Sequence, residues 1–178
     1  MASIYNDPIS CDLECFQNTY TMAPELWEHF DFTDLKNVDF SNWRSVKLMN
    51  DDGSAFSEMV NQLPTDSGGI YVYSIEPGII PGCGTYIMYV GMASKSKSEN
   101  LRYRVKSYQA LINDPYHRER IHRLFKKWGK YVYVYFLPIH ATRETILELE
   151  TRMIAALVPP CNADIRAKAV KHAVRAFR

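Results

Sequence analysis

The 178-residue sequence has no apolar run near the roughly 20 residues that span a bilayer. Its first residues have neither the basic nor the apolar segment of a secretion signal, so we expect a cytoplasmic protein without membrane contact. It also shows no internal repeat, low-complexity tract, P-loop, dinucleotide-binding glycine pattern or nucleophilic Ser or Cys elbow. These absences argue against repeat proteins, P-loop nucleotide hydrolases and serine or cysteine hydrolases.

Cysteine is scarce, and the four residues are scattered: Cys11, Cys15, Cys83 and Cys161. No second Cys/His pair follows Cys11 and Cys15 at zinc-finger spacing. We therefore interpret them as free thiols of a reducing compartment.

Basic residues are rare in the first third and acidic residues are rare in the rest. Residues 1–66 contain 12 Asp and Glu against 3 Lys and Arg, whereas residues 67–178 contain 8 against 18. The later part thus has the electrostatics of a polyanion binder. The acidic part could shield that basic surface, contact a protein partner or only keep its own region solvated.

The first 63 residues are weakly patterned. Residues 1–50 show no clean hydrophobic period and predict short helices or irregular structure wrapped on a main domain. Residues 54–63 predict a short helix with one apolar stripe, made of Phe56, Met59, Val60 and Leu63.

Three aromatic, β-branched runs predict an antiparallel sheet. Residues 69–75 and 85–91 are separated by a Pro- and Gly-rich loop, which predicts a long hairpin. Alternation of side chains then brings Tyr71 and Tyr89 near each other, although Tyr is also an ordinary strand residue. Residues 131–137 are apolar on both faces and predict a third, central strand that ends at Pro138.

Four helices are predicted after the hairpin. In residues 99–112, Arg104 borders the apolar stripe and Arg102 lies on the solvated side. Residues 114–128, capped by Asp114, present a basic face that is either solvated or in contact with phosphates. Residues 164–177 form a basic amphipathic helix with the same two interpretations.

The remaining helix begins after Thr142 and carries Glu150 inside its apolar stripe, with Glu148 on the opposite side. A buried carboxylate needs a cation, because an unpaired buried charge costs several kcal/mol. The pattern leaves two interpretations open: a structural ion pair with an arginine, or a metal ligand.

The paired tripeptides Gly69-Ile70-Tyr71 and Tyr89-Val90-Gly91, followed by Arg104, Glu150 and Asn162, resemble the GIY-YIG nuclease family over about residues 64–163. The resemblance implies an α/β (α+β) fold with a three-stranded antiparallel central sheet flanked by helices. Residues 1–63 would then be an acidic extension packed on this domain, and residues 164–178 a basic C-terminal helix.

The resemblance also implies roles for single residues. Glu150 would bind Mg²⁺ or Mn²⁺, Arg104 a phosphate oxygen, and Tyr71 would be the general base. Tyr89 would orient the attacking water or share its proton, while Tyr108 and His117 would help to place the phosphate. Gly69 and Gly91 belong to the motifs, and Asn162 would hold the Glu150 helix to the sheet. Met92 departs from the pattern, since repair members carry lysine there, and an insertion at residues 94–98 leaves Arg102 as an alternative to Arg104.

We therefore expect a metal-dependent DNA endonuclease, restriction- or phage-related or a small repair enzyme from a bacterial, phage or mobile-element context, with RNA not excluded and a homodimer possible. The alternatives are a non-catalytic nucleic-acid-binding module and a protein-interaction module that uses the acidic segment. The expected DNA contacts are Arg118, Arg123, Lys126, Lys127, Lys168, Lys171 and Arg175.

Overall fold

The computed structural model describes residues 20, 22, 24–28, 30, 35, 38–114, 116–168 and 170–172. Their centre is a four-stranded antiparallel sheet with the order β1-β4-β2-β3. The strands are β1 Arg44–Lys47, β2 Gly68–Ile75, β3 Tyr86–Ala93 and β4 Val132–Ile139. The helices described are α1 Pro24–Glu28, α2 Leu101–Lys106, α3 Glu119–Trp128 and α4 Arg143–Leu157, with 3₁₀-helices at Phe40–Asn42, Glu58–Gln62, Ser107–Ile112 and Gly129–Tyr131.

The sheet has one strand more than the three predicted. β1 lies in the stretch for which helices or irregular structure were expected, and it pairs with β4, Val46 opposite Val134. Val46 is the only apolar residue of this four-residue strand and its only buried one. Such a short edge strand has no readable alternation. The segment 1–63 therefore contributes a strand to the sheet formed by residues 64–163.

The predicted hairpin and the central position of β4 are confirmed. β2 and β3 are antiparallel, and β4 lies between β1 and β2. β4 continues through Pro138, which was expected to end it, and Pro138 stands opposite Gly69. A Cβ on Gly69, whose φ is +148°, would come within 2.0 Å of the Leu137 carbonyl oxygen. Only glycine allows β2 and β4 to approach each other this closely at this position.

The two faces of the sheet bury separate apolar clusters. One cluster contains Tyr71 and Tyr73 of β2 and packs against residues 101–112 and α3. The other contains Ile70 and Val72 and packs against α4. Because side chains alternate along β2, the tyrosines face α2 and α3 while α4 covers the opposite face. Within the described residues, no helix combines the length and apolar character needed to cross a bilayer.

Several helix boundaries differ from the predictions. The helix expected over residues 99–112 is α2 followed by a 3₁₀-helix, although its apolar stripe (Leu101, Val105, Tyr108 and Ile112) is buried as predicted. The helix expected from Asp114 begins at Glu119, after Arg118 in the left-handed region at φ 52°. Before it, Asp114 accepts hydrogen bonds from the Tyr116 and His117 amides, which forms a turn instead of a helix start.

Two further predicted helices are shorter than expected. The helix of residues 54–63 is reduced to the 3₁₀-helix Glu58–Gln62, and Met59 of its predicted stripe is 43% exposed. The helix expected from residue 164 is irregular through residue 167, and helical residues begin at Lys168. Arg175 and the end of that predicted helix lie outside the described residues.

The chain after α4 closes the outer edge of β3. The Asn162 side chain accepts a hydrogen bond from the Val90 amide at 2.9 Å and donates one to the Val90 carbonyl at 2.8 Å. The Cys161 amide donates to the Met88 carbonyl at 2.9 Å. These bonds replace the strand that an edge lacks, and they fix the end of α4 beside β3.

Gly91 allows the close contact of two tyrosine rings. It stands opposite Tyr71 in the register. A Cβ on Gly91 would come within 2.5 Å of the Tyr71 ring and hydroxyl and within 2.8 Å of the Tyr89 ring. The Tyr71 ring therefore lies directly over the Gly91 backbone, in space that any other residue would fill.

Gly91→Ala is expected to destabilise the protein, because its methyl group must displace the fully buried Tyr71 ring. Overpacking of this kind costs about 1–3 kcal/mol, which lowers Tm by roughly 2–4 °C per kcal/mol in a chain of this size. Thermal unfolding followed by circular dichroism measures the change.

The matched control is Gly82→Ala, whose Cβ would meet no atom within 4 Å although its φ of +74° is also unfavourable for alanine. Equal losses of Tm in the two variants would contradict the proposed steric role of Gly91.

Candidate active site

Four tyrosines of three elements form one cluster on the α2/α3 face of the sheet. Tyr71 and Tyr73 come from β2, Tyr89 from β3 and Tyr108 from the 3₁₀-helix after α2. The centroid of the Tyr71 ring lies 5.5 Å from Tyr73, 6.1 Å from Tyr89 and 6.0 Å from Tyr108. These are ordinary aromatic contacts; the buried Tyr73 hydroxyl has no hydrogen-bond partner among the described residues.

Three of the hydroxyl groups form a continuous chain. The Tyr71 hydroxyl donates to the Tyr108 hydroxyl at 3.0 Å, and the Tyr108 and Tyr89 hydroxyls are also 3.0 Å apart. Tyr71 and Tyr108 are buried, whereas Tyr89 is half-buried and lines a cavity. The chain therefore runs from the core of the sheet to a surface that solvent can reach.

Two arginines flank the hydroxyl chain. Arg118 donates to the Tyr108 hydroxyl and, at 3.2 Å, to the Tyr89 hydroxyl. Its guanidinium carbon lies 5.0 Å from the Tyr108 ring centroid, and that of Arg104 lies 5.5 Å away. The Nε of Arg104 is buried and has no hydrogen-bond partner, and its ion pair with Glu99 is long, at 4.0 Å. The side chain of Arg104 as a whole is 35% exposed and lines the cavity.

The cavity has a volume of about 750 Å³ and is rich in arginine. Tyr89, Met92 and Asn162 form part of its wall. Its arginines are Arg104, Arg118, Arg120, Arg143 and Arg166, and its carboxylates are Glu99, Glu119, Glu150 and Asp164. Five guanidinium groups around one opening are suited to a ligand with several anionic oxygens.

Glu150 is the carboxylate of α4 that faces this cavity from the apolar side of the helix. Its side chain is 13% exposed, and Arg166 is its ion-pair partner at 3.9 Å, outside direct hydrogen-bond distance. Burial raises the pKa of Glu150, and the charge of Arg166, a hydrogen bond from the Met92 backbone and the charges of Arg104 and Arg118 oppose this only in part. The carboxylate is therefore incompletely compensated in the protein alone.

Burial also raises the pKa of three tyrosines of the cluster. For Tyr71 the pKa lies well above the usual range, because burial and the neighbouring Tyr89 and Tyr108 outweigh Arg104. Burial likewise raises the pKa of Tyr73 and Tyr89. At neutral pH these hydroxyls are protonated.

The structure brings together most of the residues that the sequence indicates. Tyr71, Tyr89, Arg104 and Tyr108 are in mutual contact, and Glu150 and Asn162 line the same cavity as Arg104. Arg102 was expected to be solvated. It instead donates to the Leu63 carbonyl at 2.6 Å and is absent from the described wall of the cavity. Arg104 is thus the arginine that this helix presents to the tyrosines.

Other predicted residues lie elsewhere. His117 is 79% exposed and hydrogen-bonded to Asp114 at 2.7 Å, and the described cavity wall does not include it. Arg123 pairs with Glu119, Lys126 contacts Asn113, and Lys171 pairs with Asp164. Lys127 and Lys168 are exposed.

Sequence reasoning missed three arginines of the cavity and the contact made by a fourth. Arg118 was expected to contact DNA from the surface, but the left-handed turn at this residue directs it onto the tyrosine hydroxyls. Arg120 donates to the Pro160 carbonyl at 3.0 Å. Arg143 and Arg166 join the cavity from the start of α4 and the segment after it. The Asp114-Pro115 dipeptide was the available signal for a turn, and it was interpreted as a helix cap.

Glu150→Gln is expected to raise the stability of the metal-free protein at pH 8, because it removes a buried charge that its surroundings compensate incompletely. The raised pKa means that the folded protein favours protonated Glu150. Below the unfolded-state pKa of about 4.3, Glu150 is protonated in both states and does not lower the free energy of unfolding. As the pH rises from there through the pKa of the folded state, the ionised carboxylate lowers the free energy of unfolding.

Denaturant unfolding in EDTA at pH 5 and pH 8 measures this. We expect the advantage of the variant, on the order of 1 kcal/mol at pH 8, to shrink toward pH 5. An equal loss of stability at both pH values would show that Glu150 instead makes a net stabilising ion pair.

No protein-family model matches this chain, and neither a curated protein nor a solved structure does. The site is therefore defined by its own geometry: the hydroxyl chain, the arginine-rich cavity and the largely buried carboxylate of Glu150. The resemblance to the GIY-YIG nucleases stays a prediction that the sequence motifs make.

Proposed function

We propose that this protein is a divalent-metal-dependent endonuclease of the GIY-YIG type, which hydrolyses phosphodiester bonds of DNA. The observation that carries the proposal is the convergence on one cavity of Tyr89, Arg104, Arg118 and Glu150. Hydrolysis needs a positioned water, neutralisation of phosphate charge and help for the leaving oxygen. This cavity offers a hydroxyl chain, guanidinium groups and a carboxylate for these three tasks.

The scissile phosphate would lie between Arg104 and Arg118. Both side chains line the cavity, and that of Arg104 is 35% exposed. Guanidinium groups bind phosphate through paired charge-assisted hydrogen bonds. A phosphate between them would neutralise part of the positive charge that the two side chains bring to the cavity.

Glu150 fits a hard cation such as Mg²⁺ or Mn²⁺. Among the described residues no group of three or more His, Cys, Asp or Glu side chains converges. Mg²⁺, however, commonly binds one or two carboxylates together with substrate phosphates and waters. When bound, such an ion supplies neutralisation of phosphate charge and stabilisation of the leaving oxygen. Glu150 would hold it, with Arg166 turning from the carboxylate toward the substrate.

The tyrosines would position the attacking water and take its proton. Tyr89 lines the cavity, so its hydroxyl is the one that touches the water. The proton would pass through Tyr108 to the phenolate of Tyr71, which is a strong base because burial disfavours its ionisation. Arg104 and Arg118 favour the anionic form of the cluster.

A second candidate function is a nucleic-acid-binding module without catalysis. The guanidinium of Arg166, 3.9 Å from Glu150, favours it, because this cation can compensate the carboxylate without a metal. Both candidates bind nucleic acid in the same cavity, with RNA as an alternative ligand. They differ in metal dependence and turnover.

Glu150→Gln is expected to abolish cleavage of plasmid, single-stranded and branched DNA, with a loss of at least about 10²-fold, typical of the removal of one charge-stabilising group. Mg²⁺ should raise the Tm of the wild type and not that of this variant. The matched control is Glu148→Gln on the same helix, whose carboxylate is 54% exposed and pairs with Arg152.

Gel assays with Mg²⁺, Mn²⁺ or EDTA and thermal shift measurements give the two readouts. Retention of full cleavage by Glu150→Gln would overturn the assignment of Glu150. Binding of DNA by the wild type without cleavage of any substrate would support the module instead.

The cleavage rate is expected to rise about tenfold per pH unit between pH 6 and 9, without a plateau. The reason is that Tyr71, the proposed base, has a pKa above the ordinary Tyr value of about 10, so its phenolate fraction grows throughout this range. Single-turnover rates at saturating metal measure the slope. Tyr71→Phe should remove most of the rate, and a level profile in the wild type would exclude Tyr71 as the base.

A further inference from the structure

A second cavity, of about 460 Å³, opens at the opposite end of α3 from Arg118. Aromatic side chains dominate its wall, which comprises Tyr20, Ile75, Pro77, Ile79, Tyr86, Trp128 and Tyr131. Tyr86 is 48% exposed and Tyr131 is 37% exposed, so a planar ligand can reach their rings. We call this feature the aromatic cavity.

We propose that the aromatic cavity binds an unpaired nucleobase of the strand whose phosphates lie in the arginine cavity, which would make single-stranded, frayed or branched DNA the substrate class. The inference rests on the proposed function only in that both sites bind one nucleic acid. Aromatic rings stack on any base, because every base has a π-face.

The charges around the aromatic cavity suit a polyanion. Lys130 lies 4.9 Å from the Tyr131 ring centroid, and Lys126 and Lys127 are exposed in the last turn of α3. No acidic residue is among the described residues of its wall. The nearby Glu76 accepts a hydrogen bond from Ser74, whose side chain alternates to the opposite face of the sheet from Ile75. Stacking rings with a lysine rim are the elements of a single-strand site.

One helix connects the two cavities. Arg120 lines the arginine cavity, and Trp128 of the same helix lines the aromatic cavity. They lie eight residues apart in sequence, which is about 12 Å along a helix axis. At the spacing of about 3.4 Å per phosphate along one strand of a stacked duplex, at most three to four nucleotides span this distance, and fewer are needed by an unstacked strand. Arg123 and Lys127, exposed on α3, lie between the two ends.

This arrangement selects against an intact duplex. A paired base has both faces stacked inside the helix, so it has no free face to offer to Tyr86 or Tyr131. A base that enters the aromatic cavity must first leave its stack, at a cost of a few kcal/mol that is smallest for unpaired or mismatched positions. The aromatic cavity therefore discriminates between substrates, while the arginine cavity binds any phosphate backbone.

The test measures fluorescence anisotropy of a labelled single-stranded oligonucleotide and its duplex in EDTA, where metal-dependent cleavage is silent. Tyr86→Ala and Tyr131→Ala should weaken single-strand binding between about 5- and 100-fold and leave duplex binding unchanged. Tyr86→Phe should retain the affinity. The matched control is Tyr116→Ala, since Tyr116 is 93% exposed and is not in the described wall of the cavity.

An abasic scan then locates the base. Bases are removed from the oligonucleotide one at a time, and removal at one position should weaken binding to the wild type. The same removal should not weaken binding to Tyr86→Ala, because the variant has already lost the contact with that base and the two losses are not additive. Affinity of Tyr86→Ala equal to that of the wild type would overturn the inference. A second result would also overturn it. If light scattering shows that the wild type self-associates and Ile79→Asp does not, while both bind the oligonucleotide equally well, the cavity is covered by a second copy of the chain and not by a base.

The experiments distinguish failure of the base-binding inference from failure of the proposed nuclease function. If Tyr86→Ala binds single strands normally while Glu150→Gln still abolishes cleavage, the base site is wrong and the nuclease stands. If the wild type binds no nucleic acid at all, both are wrong.

Discussion

The contact of the Tyr71 ring with the backbone of Gly91 is the constraint on which the site depends. Two neighbouring strands bring a large ring and a residue without a side chain opposite each other, and the ring fills the missing volume. With its ring over Gly91, Tyr71 brings its hydroxyl to Tyr108, which in turn contacts Tyr89 and Arg118. Packing thus determines the position of the polar groups, and a change of one methyl group on β3 acts on the chemistry of the cavity.

The buried and the exposed parts of this site differ in their charge. Burial raises the pKa of Tyr71, Tyr73 and Tyr89, so these three hydroxyls are neutral and can be close together without repulsion. Arg104 and Arg118 lie at the boundary, each beside the Tyr108 ring and each lining the cavity. Glu150 lies between the two environments. An anionic ligand that enters the cavity therefore contacts the arginines, and once bound it changes the electrostatic environment of the tyrosine cluster.

Local patterns predict the sheet well and the site in part. Alternation in β2 and β3 places Tyr71 and Tyr89 together, and the apolar stripe of α4 identifies Glu150 as an inward carboxylate. What the sequence does not reveal depends on single backbone conformations. Arg118 reaches the tyrosines because of its own positive φ, and Arg166 reaches Glu150 because residues 162–167 are irregular. β1 was not predicted because its four residues have no strand pattern of their own, and its position in the sheet is determined by pairing with β4.

The closure of the β3 edge has a consequence for biosynthesis. β2, β3, α2 and α3 are complete once residue 128 has been made, but Asn162 and Cys161 cover the edge of β3 and Arg166 reaches the cavity only afterwards. Glu150 is also contributed late, by α4. A ribosome-bound chain that lacks these residues has an open strand edge and an incomplete cavity. The cavity of such a nascent chain lacks Glu150 and Arg166, so it is assembled only after residue 166 has been made.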